Sequence, residues 1–257
     1  MSPTPSRKRT VMKIAFLFAA ALPLFAADIQ PGDLDHFLDI KANYTQRNTA
    51  CLALRGSNQP EVIAAMRAAL ENPSLQACAG ANLRVAGAAA ELLNALTSPD
   101  ASTRAVAARE LGAMQKPEFL IPLRKAVEDK DLLVASNAIE GLVRYEDHSS
   151  ASALREVALM GGVLTTLAMD TLIDWHDPEV LAIGRRLIAR EAPGDQLAGI
   201  RAIGLTGDAS DLPKLRELSK DDTALASGGR GFGFMPAVSI ARAAKTAIQH
   251  IEQRASN

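Results

Sequence analysis

Residues 101–128 read ASTRAVAARELGAMQKPEFLIPLRKAVE and carry the pattern of one helical hairpin. Ala107 and Leu111 stand four apart in the first half, which is the spacing of neighbours on one face of an α-helix. A second helical run contains Leu123. Residues 115–117 (QKP) separate the two runs, and proline is a strong helix breaker. The stretch therefore predicts two helices joined by a short turn.

The same hairpin recurs along the chain with a nearly constant period. The small or apolar pair of the first helix advances by 31, 30 and 30 positions, through Ala107/Leu111, Ala138/Leu142, Ala168/Leu172 and Ala198/Ala202. The second helical runs end near Leu96, Val127, Leu159, Ile188 and Leu218. Turns between hairpins are predicted at Pro99-Asp100, Asp129-Lys130-Asp131, Gly161-Gly162, Pro193-Gly194-Asp195 and Asp221-Asp222. Shorter turns inside hairpins are predicted at Gln115-Lys116-Pro117, Asp147-His148-Ser149, His176-Asp177-Pro178 and Gly207-Asp208. Two interleaved helix series with one period indicate a repeated helical hairpin.

Two segments of these repeats resemble a known family. The residues concerned are Arg104 to Gly112 (RAVAARELG) with Pro122-Leu123, and Arg201 to Gly204 (RAIG) with Gly207-Asp208, Asp211-Leu212-Pro213 and Leu215. They resemble the HEAT-repeat family, in particular its short bacterial type of about 30 residues, over about residues 60–253. The resemblance implies a right-handed α-solenoid of about five to six hairpins that serves as a scaffold or binding surface. The chain departs from the family pattern in its third and fourth hairpins, which lack the Gly-Asp turn, and at an insertion in the last.

Composition agrees with an all-α protein. The chain has 28 Lys and Arg against 29 Asp and Glu, a formal net charge of −1, which excludes a strongly basic nucleic-acid binder. Only 4% of its residues are aromatic and it is rich in alanine, a bias toward helices and away from strands. An apolar content of 48% is enough for a sizeable core.

The core is expected to be a one-dimensional stack. Small alanines let neighbouring helices approach to about 8–10 Å, and each hairpin buries its apolar stripes against the next. The residues expected to be buried are Leu111, Leu142, Leu172 and Ile203 on the first helices and Leu123, Leu154, Leu187 and Leu215 on the second.

The N-terminus has the pattern of an export signal. Residues 14–27, IAFLFAAALPLFAA, are uniformly apolar and follow the basic residues Arg7, Lys8, Arg9 and Lys13. This run is too short for a membrane-spanning helix, which needs about 20 residues. We therefore interpret residues 1–27 as a cleaved signal peptide, cut after Ala26 or Ala27, with Met12 as an alternative start. The mature protein is then periplasmic or secreted and has no membrane span.

Residues 28–58 do not follow the period. Phe37, Leu38 and Ile40 predict a short helix, and the remainder is mostly polar. Solenoids need atypical terminal units to cover their ends. We interpret this segment as a cap that precedes the repeat domain of residues 59–257.

The two cysteines, Cys51 and Cys78, are predicted to form a disulfide because export places them in an oxidising compartment. Closing this loop contributes ~3 kcal/mol in the chain-entropy estimate. Two buried free thiols are the alternative. A zinc or redox site is disfavoured because the chain has no CxxC pair.

A glycine-rich insertion, residues 223–236, interrupts the last hairpin. Its segment SGGRGFGFM, residues 227–235, has four glycines that prevent regular helix. The candidate partner-binding residues here are Arg230, Phe232, Phe234 and Met235. Alternatively, the two phenylalanines fold back onto the last helices. The segment matches neither a phosphate-binding nor a dinucleotide-binding loop.

No catalytic motif is present, and the sequence predicts a protein without cofactor, metal or catalytic residues. The patterns GxSxG, HExxH, EF-hand and paired CxxC are all missing. The one suggestive group is Glu146-Asp147-His148 with Asp174, His176 and Asp177, two triplets at the same turn one repeat apart. A solvated acidic edge, with Asp177 capping the next helix, is the preferred interpretation. The alternative is a metal-assisted hydrolase or lyase that uses His148 and His176.

The second helices carry many basic residues with acidic residues interspersed. Arg185, Arg186 and Arg190 make a local positive step where an acidic partner could dock. A general solvated surface of mixed sign is the alternative.

The sequence thus predicts an exported, non-catalytic, HEAT-like α-solenoid. Its predicted partner is an unidentified protein, bound through the second helices or the glycine-rich segment. A structural spacer within an envelope assembly remains a further hypothesis.

Overall fold

The computed structural model describes residues 32–145, 148–220, 225–227 and 237–256. The α-helices of this part of the chain are α1 (Asp33–Leu38), α2 (Tyr44–Ala53), α3 (Pro60–Ala69), α4 (Gln76–Val85), α5 (Ala89–Ala95), α6 (Ala101–Met114), α7 (Leu120–Ala126), α8 (Leu132–Tyr145), α9 (Ala151–Met160), α10 (Thr165–Asp174), α11 (Val180–Leu187), α12 (Pro193–Thr206), α13 (Leu212–Leu218) and α14 (Ile240–Ala255). Two short strands are β1 (Leu225–Ser227) and β2 (Ala237–Ser239).

The helices stack as a repeated hairpin. Helices α4, α6, α8, α10, α12 and α14 form one row in which each member packs against the next. Helices α5, α7, α9, α11 and α13 alternate with them along the chain, and each packs onto the first helix of the following hairpin. Every hairpin therefore completes its core with its sequential neighbour. The predicted helical repeat solenoid is confirmed.

The residues that the repeat period predicts to be in the core are buried. The four residues predicted on the first helices, Leu111, Leu142, Leu172 and Ile203, have no exposed surface. The four predicted on the second helices, Leu123, Leu154, Leu187 and Leu215, are equally buried. Burying one such side chain stabilises the fold by roughly 2 kcal/mol.

Helices α6 and α8 approach each other most closely where two glycines meet. A Cβ atom added to Gly112 would lie 2.5 Å from the Cα of Gly141. Real Cβ atoms do not approach backbone atoms so closely, and the obstacle is main chain that cannot rotate away. The contact therefore requires glycine on α6 at this position.

We expect Gly112→Ala to lower the free energy of unfolding by about 2 kcal/mol, because the new methyl group forces two helices apart. In an unobstructed helix the same change is stabilising by up to about 1 kcal/mol. Gly194→Ala, in the first turn of α12, is the matched control, since no atom lies within 4 Å of its added Cβ. Urea unfolding of both variants measures the difference, and equal effects would contradict the close helix contact.

Two short strands accompany the helices of the predicted all-α fold. Leu225 pairs with Ser239, and Ser227 pairs with Ala237, in a two-stranded antiparallel ribbon. The ribbon lies at the two ends of the predicted insertion, and β2 leads directly into α14. The short segments LAS and AVS carry no alternating pattern from which strands could be predicted.

One predicted turn is part of a helix. Pro193 begins α12, and the predicted turn Pro193-Gly194-Asp195 forms the first turn of that helix. Proline fits this position because its fixed φ is helical and its missing N–H has no partner in a first turn. Asp195 then accepts a hydrogen bond from the backbone N–H of Gly162 at 3.0 Å.

The cap segment contains two helices, of which the sequence predicted one. Helix α2 begins after Asn43, whose side chain accepts from the N–H of Gln46 while the Gln46 side chain accepts from the N–H of Asn43. Phe37 is buried on α1, whereas Leu38 is half exposed and Ile40 lies 86% exposed beyond the end of that helix. Capping hydrogen bonds thus start a helix that hydrophobic periodicity does not indicate.

In the described part of the chain, which omits residues 1–31, no helix has the length and apolar character to cross a membrane. The predicted signal peptide lies outside the described residues.

Candidate functional site

The second helices carry an arginine at the same position in four successive repeats. These residues are Arg124, Arg155, Arg185 and Arg216, spaced by 31, 30 and 31 positions on α7, α9, α11 and α13. We call them the arginine ladder. The spacing equals the repeat period, so all four occupy equivalent places in the solenoid.

Three ladder arginines reach forward to the turn inside the next hairpin. Arg155 donates to both carboxylate oxygens of Asp177, from Nε at 2.9 Å and from Nη2 at 2.6 Å. Arg185 holds Asp211 in the same way, at 2.7 and 3.1 Å. Arg124 donates from Nε to the Ser150 hydroxyl at 2.9 Å. Each of these bonds ties one hairpin to its successor.

The carboxylates at these joints also organise their own turns. Asp177 accepts from the backbone N–H of Glu179 at 3.0 Å, within the turn that precedes α11. It was predicted to cap that helix, but α11 begins at Val180 and its cap position is Glu179. Asp211 accepts from the N–H of Asp208 at 3.0 Å. Hydrogen bonding to Asp177 raises the pKa of Arg155, and hydrogen bonding to Asp211 raises that of Arg185. Both guanidinium groups therefore stay charged, and each forms a two-point, charge-assisted pair with its carboxylate.

The fourth member has a weaker bond. Arg216 donates to Glu252 of α14 at 3.2 Å, and both side chains are more than half exposed. A solvated pair of this kind contributes little to stability. The ladder therefore ends in a flexible contact at the C-terminal helix.

The three arginines of the predicted positive surface, Arg185, Arg186 and Arg190, differ in their contacts. Arg185 belongs to the ladder, and Arg190 donates to Asp195 at 2.9 Å and to the carbonyl of Leu159. Arg186 is exposed and forms no ion pair with the residues that the structure describes. Of the three arginines, Arg186 alone presents an uncommitted charge to solvent within that part of the chain.

Arg186 is one of four charged residues that directly follow the ladder. We call Lys125, Glu156, Arg186 and Glu217 the charge row; its signs alternate from helix to helix, and all four side chains are exposed. Lys125 and Glu156, like Arg186, have no ion-pair partner among the described residues. Glu217 accepts from Lys214 at 2.8 Å on the surface of α13. From the sequence this surface was predicted only as one of mixed charge; the repeat spacing is the signal that orders these residues.

Residues 89–163 match a family model described as HEAT repeats. This part of the chain is similar to HEAT repeats. The matched range runs from α5 to the turn after α9. It includes the first of the two segments on which the resemblance rested, Arg104 to Gly112 with Pro122-Leu123, and not the second, which begins at Arg201. No match was found among curated proteins. HEAT repeats generally have a protein-interaction or scaffold role.

The predicted acidic edge, at the turns inside the hairpins, is occupied by structural contacts. The His148 ring stacks on Trp175 with centroids 5.3 Å apart and an interplanar angle of 13°. Asp177 is held by Arg155, and His176 is exposed in the left-handed region, with φ +55°. Trp175 is 8% exposed and belongs to the hydrophobic core. Glu146 and Asp147 lie outside the described residues.

Within the described ranges, no three His, Cys, Asp or Glu side chains are placed to share a metal ion. Metal analysis of the purified protein tests the alternative hypothesis of metal-assisted chemistry at His148 and His176. Stoichiometric metal together with a lower melting temperature in chelator would support that hypothesis.

The two cysteines form the predicted disulfide. It joins Cys51 on α2 to Cys78 on α4, with Cα atoms 6.4 Å apart. Asn82, buried on α4, donates to the carbonyl oxygens of Cys51 at 3.0 Å and Cys78 at 3.1 Å. The bridge and this amide together fasten the cap to the first hairpin.

The predicted binding residues of the glycine-rich segment, Arg230, Phe232, Phe234 and Met235, lie outside the described residues. Their role in a partner contact stays a prediction.

Proposed function

We propose that this chain is a non-catalytic, protein-binding HEAT-repeat scaffold of the cell envelope and that its second-helix surface carries the binding site. The charge row is the observation that carries this proposal. Exposed charges at one place in each repeat, next to arginines that fix the helices, give a preorganised pattern. A rigid pattern loses little conformational entropy on binding, which favours recognition of a protein surface with complementary charges.

The envelope location rests on two features. The apolar run of residues 14–27 behind basic residues is typical of export signals. The bridge between Cys51 and Cys78 belongs to oxidising compartments. Cell fractionation and N-terminal sequencing of the mature chain test the location, and a full-length cytosolic product would contradict it.

The binding function is tested by crosslinking and capture from the native envelope fraction. The bait is the mature chain, and the test variant is Lys125→Glu/Arg186→Glu, which reverses the two basic members of the charge row. The control, Lys116→Glu/Arg242→Glu, makes the same change of charge at exposed sites away from the second helices. We expect wild type and control to capture the same protein and the test variant to lose it.

The outcome separates the hypotheses about the binding surface. Capture that persists in the test variant would overturn the assignment to the charge row. Capture that is lost only when residues 228–236 are deleted would place the site in the glycine-rich segment. A chain that captures no envelope protein in any form would favour the spacer hypothesis.

A further inference from the structure

The signs of the charge row are complementary to the same signs read in reverse order. Across α7, α9, α11 and α13 it reads Lys125, Glu156, Arg186 and Glu217, that is plus, minus, plus, minus. Read backwards, the signs are minus, plus, minus, plus. We propose that the second-helix surface of this chain docks onto a second copy of itself. This inference rests on the binding surface in the proposed function and names its partner.

The charge order also specifies the symmetry of the pair. A twofold axis parallel to the second helices, between α9 and α11, reverses the order of the helices and keeps their direction. Lys125 then faces Glu217 of the second copy, and Glu156 faces Arg186 of the second copy, so every pair has opposite signs. A twofold axis along the stack would instead place Lys125 against Lys125. Like charges in contact disfavour that second arrangement.

The neighbouring positions agree with the same axis. Three residues after the charge row, the turns that follow α7 and α13 carry exposed Glu128 and Lys220, and the axis brings these opposite charges together. Four residues before it, the two central helices carry the small, exposed Ser152 and Ala182, which allow close approach. At the edge, Ile121 is 75% exposed and would be covered by the second copy. A C2 interface needs a self-complementary patch of this kind.

The dimensions of the surface set the expected affinity. Four helices spaced about 10 Å apart and about 12 Å long present roughly 500 Å² per protomer. The two copies together bury about 1,000 Å², which is below the roughly 1,200 Å² at which stable interfaces begin and is typical of weak, transient ones. Because charged side chains dominate the contact, salt screens it. We therefore expect a dimer with a dissociation constant of about micromolar or weaker, and strongly dependent on salt.

Sedimentation equilibrium of the purified mature chain tests the dimer. At about 20 mM salt we expect a concentration-dependent monomer–dimer equilibrium, weakened about tenfold or more at about 500 mM salt. A chain that stays monomeric at about 500 µM in low salt would overturn the proposal.

Charge exchange tests the specific pairing. Lys125→Glu changes two symmetry-related pairs and is expected to raise the dissociation constant about tenfold or more. Lys125→Glu/Glu217→Lys restores opposite signs at both pairs and is expected to return it to within about threefold of wild type. The control Lys116→Glu leaves the equilibrium unchanged. A double variant as weak as the single one would refute this register, and circular dichroism melts verify that each exposed variant is folded.

The two proposals fail in different ways. A purified chain that remains monomeric but captures another envelope protein through the charge row would overturn the dimer and leave the scaffold function standing. A purified chain that dimerises but captures no other envelope protein, either as wild type or as the charge-row variant, would leave the dimer standing and overturn the scaffold function.

Discussion

Replacing Arg104 with methionine is expected to lower the free energy of unfolding by about 3 kcal/mol. Arg104 donates to both carboxylate oxygens of Asp129, from Nε at 2.7 Å and from Nη2 at 2.8 Å. Its Nη1 also donates to the carbonyls of Ser98 and Pro99, at 2.9 and 3.1 Å. One side chain thus holds the turns before α6 and before α8. Methionine keeps the apolar stem but leaves a carboxylate and two carbonyls without their donor.

The size of this effect follows from burial, and an exposed pair provides the control. The side chains of Arg104 and Asp129 are 9% and 15% exposed. In the pair of Arg216 with Glu252, the side chains are 58% and 52% exposed and the closest N···O distance is 3.2 Å. Arg216→Met is expected to cost less than about 1 kcal/mol. Urea unfolding of both variants measures the contrast, and similar losses would show that burial does not strengthen the Arg104 pair.

The same pair predicts a dependence on pH. Hydrogen bonding from Arg104 lowers the pKa of Asp129 below its ordinary value of 3.8. The native carboxyl group therefore binds a proton less readily than the unfolded one. Its contribution is complete above pH about 4 and is lost as the pH falls through the lowered native pKa. Unfolding titrations between pH 5 and 2 should show a shallower acid loss in Arg104→Met than in wild type.

The core of the solenoid was predictable because each hairpin repeats the same local pattern. Leu142 and Leu172 could be placed in the core from helical spacing alone, since burial of one repeat implies burial of the next. Periodicity carries no such information for α2. That helix is started by the side chains of Asn43 and Gln46 and is held by a covalent bridge, so it needs no continuous apolar stripe.

The surface was harder to predict because the sequence gives the charges but not their partners. Arg155 finds Asp177 at a separation of 22 residues, and Arg185 finds Asp211 at 26. The choice of partner depends on how one hairpin packs against the next. Without knowledge of this packing, the sequence does not distinguish Arg185 from Arg186. Arg185 pairs with Asp211, whereas Arg186 forms no ion pair with the described residues. The distinction between bracing and free charges arises only from tertiary packing.

Removal of the disulfide is expected to release the cap while the central repeats stay folded. Cys51 and Cys78 close a loop with a sequence separation of 27, and losing that constraint costs about 3 kcal/mol in the chain-entropy estimate. Helix α2 buries only Ala50 and Cys51, so it has little apolar contact to replace the bridge. Each solenoid unit contacts only its neighbours, so the loss should remain near the N-terminus.

Hydrogen exchange of Cys51→Ala/Cys78→Ala measures this directly. Amides of α2 should lose about 100-fold in protection, whereas amides of α8 and α10, which the bridge does not touch, should keep theirs. Cys78→Ala alone should match the double variant because either change removes the bridge. Wild-type protein in a reducing agent should show the same pattern, because reduction breaks the bond that the variants lack. If the loss were spread evenly along the chain, the solenoid would unfold as one cooperative unit, contrary to a stack held by neighbour contacts; if α2 kept its protection, Asn82 and the α2–α4 contact would suffice to hold the cap.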